Sequence, residues 1–282
     1  MANKRQNKKA KTNVICILEL IFLLFLEVGC LMFGFNDAAQ ASFISLTPTL
    51  TAKFEGKMLA IKVVTVNKGD ESAFNVRAEV RAGGQVLTAE KVNELPVGGV
   101  YRAALSFPLT VNVPGSYPLV LIMHYTDGNQ YPFSALTAQT FAWQKEAFPP
   151  LSGQAGPLTF WREGELRFTL KNDADRPLQL GLALVVPREL SVAAQAQELT
   201  IGPRAARSAV FKVSNFSALS GSTYQVYLVG EFEDGGQHYT SIVPGTIRIV
   251  ERRTLFGLSY VTLAVILAGL VGLFIGAQLI KR

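Results

Sequence analysis

From residue 43 to residue 250 the apolar side chains recur at every second position, whereas on either side of that stretch they run together. Leu59, Ile61 and Val63 form one alternating set, and Phe74, Val76, Ala78 and Val80 form the next. Leu119, Leu121, Met123 and Tyr125 follow, then Leu166, Phe168 and Leu170, and then Leu178, Leu180, Leu182, Leu184 and Val186. A period of two places one face of a strand in a core and the other toward water. Turn signals punctuate these runs at Gly83-Gly84, Pro96 to Gly99, Pro114-Gly115, Pro187 and Gly202-Pro203. Short strands at such spacing, with no helical period between them, predict β-sandwiches.

The pattern is also duplicated. Gly115-Ser116-Tyr117 leads through an alternating run to Asp127-Gly128, and Gly221-Ser222-Thr223-Tyr224 leads through Val226, Leu228, Gly230 and Phe232 to Asp234-Gly235. Tyr117 and Tyr224, like the two Asp-Gly pairs, are 107 residues apart. Asp-Gly supplies the positive φ of a tight hairpin turn, and a tyrosine opening the penultimate strand predicts a corner whose hydroxyl binds nearby backbone. The fold expected is therefore all-β: two tandem immunoglobulin-like sandwiches over 43–143 and 157–250, with a linker over 144–156. Pro149-Pro150 stiffens that linker, which predicts a limited range of angles between the domains. Trp143 and Trp161 flank it, and are read as completing the core of each domain rather than packing between them.

The segments "VTVNKGDESAFNVRAEV" (64–80) and "LKNDADRPLQLGLALVVP" (170–187) resemble the V-x-N-x-G opening of CARDB and NEW3 adhesion-type modules. "GSYPLVLIMHYTDGNQY" (115–131) is similar to the closing hairpin of those modules. The second copy departs from the pattern in having Asp173-Ala174 where glycine is usual and Gly230 inside a strand. The resemblance covers both domains and rests on turns and caps. It implies presentation, adhesion or scaffolding at a prokaryotic surface or envelope, and brings no catalytic residue.

The two apolar blocks, 14–35 and 255–280, change the picture from a soluble pair to an anchored one. The second holds no ionisable side chain, is long enough for a hydrocarbon core of about 30 Å, and ends at Lys281-Arg282. Ala264, Ala268, Gly272 and Gly276 recur every four residues along it, a flat stripe where another helix could approach. The first block follows a basic tail and precedes Ala39-Gln40-Ala41, so residues 1–41 read as a signal peptide or as a retained signal-anchor helix. Glu19 and Glu27 interrupt it. A carboxylate at mid-membrane costs on the order of 2.5–3.5 kcal/mol, which suggests a buried partner for each if the helix is retained. In both readings residues 42–254 lie outside the cytoplasm and 281–282 inside it, with the lipid bilayer and a second membrane or envelope protein as partners.

Charge supports this topology. The net charge is +6, but Lys4, Arg5, Lys8, Lys9, Lys11, Lys281 and Arg282 belong to the tails, and three of the 21 acidic residues precede position 42. The middle thus carries 20 basic against 18 acidic residues, with no run of cations and aromatics to track phosphates, so no nucleic-acid partner is expected. Both cysteines, Cys16 and Cys30, lie in the first block, which leaves the middle without a disulfide or thiolate site. The two histidines, His124 and His238, read as exposed strand residues. No nucleophile elbow, phosphate loop or zinc helix occurs, so no catalytic, cofactor or metal residues and no enzyme activity are expected. Asn215-Phe216-Ser217 is a lone glycosylation sequon. The function expected is an extracytoplasmic scaffold or accessory subunit, with a surface module that binds a glycan or protein as the alternative.

Overall fold

The computed structural model describes residues 43–251, 254–255 and 258–280. Ile44–Arg282 forms one unit, described here, and Met1–Phe43 another; Glu19 and Glu27 lie outside the described residues. The alternating runs form strands, and among the described residues the fold is all-β apart from one helix at its C-terminal side.

Sandwich 1 pairs β1 (Leu46–Glu55), β2 (Met58–Asn67) and β6 (Val100–Pro108) in an antiparallel sheet of order β1-β2-β6. Facing it are β3 (Ala73–Ala82), β7 (Gly115–Thr126) and β8 (Pro132–Trp143), with the short β4 (Gln85–Thr88) and β5 (Val92–Leu95) on β3. Leu59, Ile61, Leu119, Leu121 and Met123 are wholly buried between the layers. Sandwich 2 repeats the plan. The first layer is β9 (Leu151–Ala155), β11 (Glu163–Asn172), β15 (Ala206–Asn215) and β13 (Leu190–Val192). The second is β14 (Ala196–Ile201), β12 (Leu178–Val185), β16 (Thr223–Asp234) and β17 (Gln237–Ile249), with β10 (Leu158–Phe160) parallel to the end of β17. Its core centres on Phe168 and Phe211, which meet edge to face at 6.1 Å. Two facing antiparallel layers with this strand order make each domain immunoglobulin-like.

The repeated asparagine has a clear physical purpose. Asn67, fully buried at the end of β2, donates through Nδ2 to the carbonyls of Glu71 (2.7 Å) and Leu95 (3.2 Å) and accepts from Gly69 N–H. Asn172 does the same at the end of β11, donating to Arg176, Ile201 and Gly202 and accepting from Ala174 N–H. Each side chain gathers backbone carbonyls at the crossover between layers into one buried set of hydrogen bonds. Since Ala174 makes the bond that Gly69 makes, the departure of the second copy from the glycine pattern leaves this hub intact.

Three expectations change on contact with the structure. Residues 151–155, assigned to the linker, form β9, because Leu151 is needed in the core of sandwich 2 and Gly153 lets β9 pass close to Leu170 and Val243. The Asp234-Gly235 turn is tight, with Asp234 opposite Gln237 and positive φ at both Gly235 and Gly236. The Asp127-Gly128 turn is wider: Thr126 pairs with Pro132, the Asp127 carboxylate accepts from Asn129 and Tyr131 N–H, and Gln130, not Gly128, takes the positive φ. At the C-terminal side, 254–259 is a small hairpin of β18 (Thr254–Leu255) and β19 (Leu258–Ser259), so the helix, α1 (Tyr260–Ile280), starts five residues later than the apolar run. Ser259 sets that start, its Oγ capping Thr262 N–H at 3.1 Å. Over the described residues no helix is long and apolar enough to cross a membrane. Taken whole, α1 is a 21-residue element without an Asp, Glu, Lys, Arg or His side chain, about 32 Å at the usual rise. A bilayer-crossing role for 255–280 is an expectation of its sequence.

Candidate functional site

Tyr117 and Tyr224 occupy equivalent corners. Tyr117 Oη donates to Val113 O at 2.6 Å, and Tyr224 Oη accepts from Leu219 N–H at 3.3 Å. Trp143 packs on Phe54 at 4.5 Å within the core of sandwich 1. Trp161 lies half-buried in the β10–β11 turn beneath the Arg162 guanidinium, 4.2 Å from the ring centroid. In α1, Ala264, Ala268 and Gly272 are exposed and Gly276 half-buried, and no described atom approaches where a Cβ would stand on Gly272 or Gly276. None of these predicted residues converge. The structure instead concentrates its buried polar groups between the two sandwiches.

The outer face of β7 and β8 is covered there. Val120, Ile122 and Leu136 are buried against Val185 and Tyr227 of sandwich 2, so β7 is apolar on both faces. At one end of this contact His238 bridges to Gly115 in parallel, and its N–H donates to Pro114 O at 2.9 Å. The imidazole stacks flat on Tyr117 at 4.1 Å, and Thr240 Oγ1 donates to Ser116 O at 2.8 Å. A Cβ on Gly115 would lie 2.0 Å from His238 O, so only glycine permits this approach. His238, expected to be exposed, has 12% of its side chain accessible because sandwich 1 lies over it.

At the other end sits Glu189, fully buried just after Pro187 in the β12–β13 turn. Its carboxylate accepts from Ser134 N–H (2.7 Å) and Ser134 Oγ–H (2.6 Å), and that hydroxyl accepts from Arg188 N–H at 3.0 Å. The Glu189 carbonyl takes the N–H groups of Phe216 and Ser217, and Tyr131, carried by the wide β7–β8 turn, donates to Ser217 O. Burial raises the Glu189 pKa, and the Ser134 bonds and the Arg188 charge offset part of that rise. Burial likewise pushes the Tyr125 phenol up, helped by the Glu189 charge. Nearby on β7, His124 meets Glu79 at 3.0 Å. Burial lowers the His124 pKa, Glu79 works against this, and Arg188 and Arg77 add to it. For Glu79 burial alone would raise the pKa, but Arg81 and His124 outweigh it and the net shift is down. His124 does point away from the core of its own sandwich, as expected, yet only 18% of the side chain is accessible.

These groups make a clamp. Two donors to the Glu189 carboxylate, Ser134 N–H and Ser134 Oγ–H, come from the opposite sandwich, and Ser134 Oγ also accepts from Arg188 N–H. Among the described residues no three His, Cys, Asp or Glu side chains come together as metal ligands. The sequon Asn215 is committed too: Nδ2 donates to Trp161 O and Ala218 O, and Oδ1 accepts from Ala218 N–H.

No protein-family description matches the chain, and no curated protein resembles it in sequence. Among solved structures it is similar to a red sea bream transglutaminase, at 12% identity and a TM-score of 0.25, over 77% of this chain and 34% of that one. A cohesin from Archaeoglobus fulgidus matches at 14% identity and a TM-score of 0.26, over 36% of this chain and 91% of its own. A Porphyromonas gingivalis W83 protein of unknown function matches at 10% identity and a TM-score of 0.31, over 72% and 99% respectively. The chain thus spans about a third of the transglutaminase it matches.

Proposed function

We propose that this chain is a non-enzymatic scaffold or accessory subunit, anchored in the plasma membrane by 255–280, whose two sandwiches stand outside the cytoplasm as one fixed body and work through protein contacts. One observation carries the reading: the chain enters and leaves the pair of sandwiches at the same end. β7 runs parallel to β17, from Gly115 beside His238 toward the turn where Tyr131 meets Ser217. β17 finishes at that second end, opposite Thr223, and so leads there into 250–280. β1 starts there too, since Leu46 pairs with Asn67 next to the β2–β3 crossover, and Phe74 at the start of β3 pairs with Thr126.

That arrangement suits a body facing a membrane with both connecting segments, and suits a retained first helix whose Glu19 and Glu27 meet a partner subunit. The CARDB- and NEW3-like motifs are compatible with a scaffold of this kind. The joint supplies what a scaffold needs, a fixed relation between its two modules. The intact mass of the full chain extracted from membranes in mild detergent, with identification of whatever co-purifies, tests the reading. A chain retaining 1–41 with a stoichiometric membrane partner supports it. A chain beginning at Ser42 with nothing bound overturns the accessory role in favour of a single-pass binding module.

A further inference from the structure

The end of sandwich 2 from which the chain leaves is not a neutral surface. Three loops are tied together there. Val250 N–H donates to Phe160 O, Gly221 N–H to Ile249 O, Asn215 N–H to Arg162 O and Asn215 Nδ2 to Trp161 O. On this frame the side chains of Phe216 (78% exposed), Leu219 (44%) and Val250 (36%) stand in the open, and Arg162 lies over the half-buried Trp161 ring. The frame is fixed, because the Phe216 and Ser217 N–H groups are held by Glu189 O and the Asn215 side chain by the turn around it.

We infer that this foot rests in the headgroup layer of the phospholipid bilayer, with Trp161, Phe216 and Leu219 at the level of the acyl boundary and Arg162 on lipid phosphate. The inference rests on the anchored reading above. Its first support is reach. Thr254 pairs with Ser259, so the β18–β19 hairpin brings the start of α1 back beside residue 254. Only four residues, 250–253, then separate Ile249 from that hairpin, a tether of about 14 Å at full extension. With a helix seated in the hydrocarbon, that reach is enough to set the foot in the polar layer, which accounts for about 5–8 Å on each side of the core.

The second support is chemistry. Exposed aromatic and aliphatic side chains beside an arginine form the amphipathic combination that partitions to a lipid interface, since the rings take the apolar boundary while the guanidinium keeps to the phosphates. The next residues in sequence, Glu251-Arg252-Arg253, are one acidic and two basic. Arginines on the outer flank of a membrane segment oppose the usual cytoplasmic bias, and a contact with phosphate gives Arg162 and its neighbours a local partner.

The test uses the full chain reconstituted in phosphatidylcholine–phosphatidylglycerol vesicles with brominated acyl chains, which quench indoles at the boundary. The sequence has two tryptophans, and Trp143 is packed in sandwich 1, so the Trp161 signal is the difference between the wild-type chain and W161F. Loss of that difference signal in brominated vesicles, with W161F itself unquenched, is the expected result. F216E should restore the Trp161 emission while the protein still floats with the vesicles. A protein that floats but whose Trp161 keeps its emission overturns the foot and leaves the anchor standing, and would point to a protein contact at this end. A protein that does not float overturns both.

Discussion

Replacing Glu189 by alanine and by glutamine separates the contribution of the clamp from the cost of burying a charge. In the alanine variant Ser134 N–H, fixed by the β8 backbone, faces a space with no acceptor, and Ser134 Oγ–H must turn away from its 2.6 Å bond. An orphaned buried donor costs about 1–3 kcal/mol, and bonds to a charged acceptor are worth about 1.5–3 kcal/mol each. Relief from holding a desolvated carboxylate, the cause of its raised pKa, offsets part of this loss. The net expected for E189A is a destabilisation of about 2–3 kcal/mol, or about 5–10 °C in Tm for a protein of this size. Glutamine keeps an acceptor for Ser134 N–H, while its amide donates to Ser134 Oγ and the hydroxyl proton must turn away, so E189Q should be destabilised less than E189A, by about 1 kcal/mol at pH 7.

The two variants must also differ in pH dependence. A carboxyl whose folded pKa is raised binds more protons in the folded state, so it lowers stability as pH rises from its unfolded value, about 4.3, through the folded one. E189Q should remove this downward slope. Urea unfolding of the full chain in detergent at several pH values, followed through Trp143 for sandwich 1 and Trp161 for sandwich 2, measures all of this. In the wild type the two transitions should coincide, and in E189A they should separate. A midpoint for E189A within error of wild type, or a slope that survives E189Q, would refute the assignment of the clamp to Glu189.

Gly115→Ala should open the other end of the joint, because its Cβ meets backbone rather than a yielding side chain; hydrogen exchange of the His238 amide should rise steeply while core amides of both sandwiches stay protected. Asn67→Ala and Asn172→Ala should each cost about 2–4 kcal/mol, and each should shift chiefly the fluorescence transition of its own sandwich. His124, whose pKa burial lowers, binds fewer protons folded than unfolded, so its contribution is present above about pH 6.5 and lost as pH falls. H124Q should flatten stability between pH 7 and 5, read as urea midpoints.

The sandwiches were legible because their cores are written at period two, and the corners because Tyr117 and Tyr224 recur with the repeat, whereas Asn67 and Asn172 looked like ordinary turn residues. The joint leaves one mark in the sequence. Residues 119–123, Leu-Val-Leu-Ile-Met, are continuously apolar, as are 182–186, Leu-Ala-Leu-Val-Val. A strand apolar on both faces is covered on both, and Val120, Ile122 and Val185 are the residues that the alternation rule would have left to water. Glu189 gave no such sign, since a lone acid after Pro187 looks like any solvated turn. The β7–β8 turn misled for a different reason. Asp-Gly favours a two-residue turn locally, yet the longer loop carries Tyr131 to Ser217, so a tertiary bond outweighs the local preference.

The joint also changes what the linker means. A Pro-Pro spacer between end-to-end domains would by itself hold them to a limited range of angles. Here residues 144–150 turn the chain back at the end away from the start of β1 and the finish of β17, since β8 finishes opposite Gly115 and β9 begins opposite Asn172. Lys145 N–H closes on Trp143 O, and Ala147 N–H on Ser116 Oγ, so the turn is pinned to sandwich 1. The domains then run antiparallel to one another, with the Asp127 turn of the first beside the exit of the second and the Asp234 turn at the far end. A partner that reads both sandwiches therefore meets the hairpin turn of one and the crossover end of the other, surfaces that differ in shape although the domains are repeats. Lengthening 144–150 with flexible residues should leave this arrangement and the coincident unfolding unchanged, because the joint and not the linker sets it. Separation of the two fluorescence transitions on such an insertion alone would show that the linker, with its Pro149-Pro150, holds the domains together and that Glu189 and His238 merely follow.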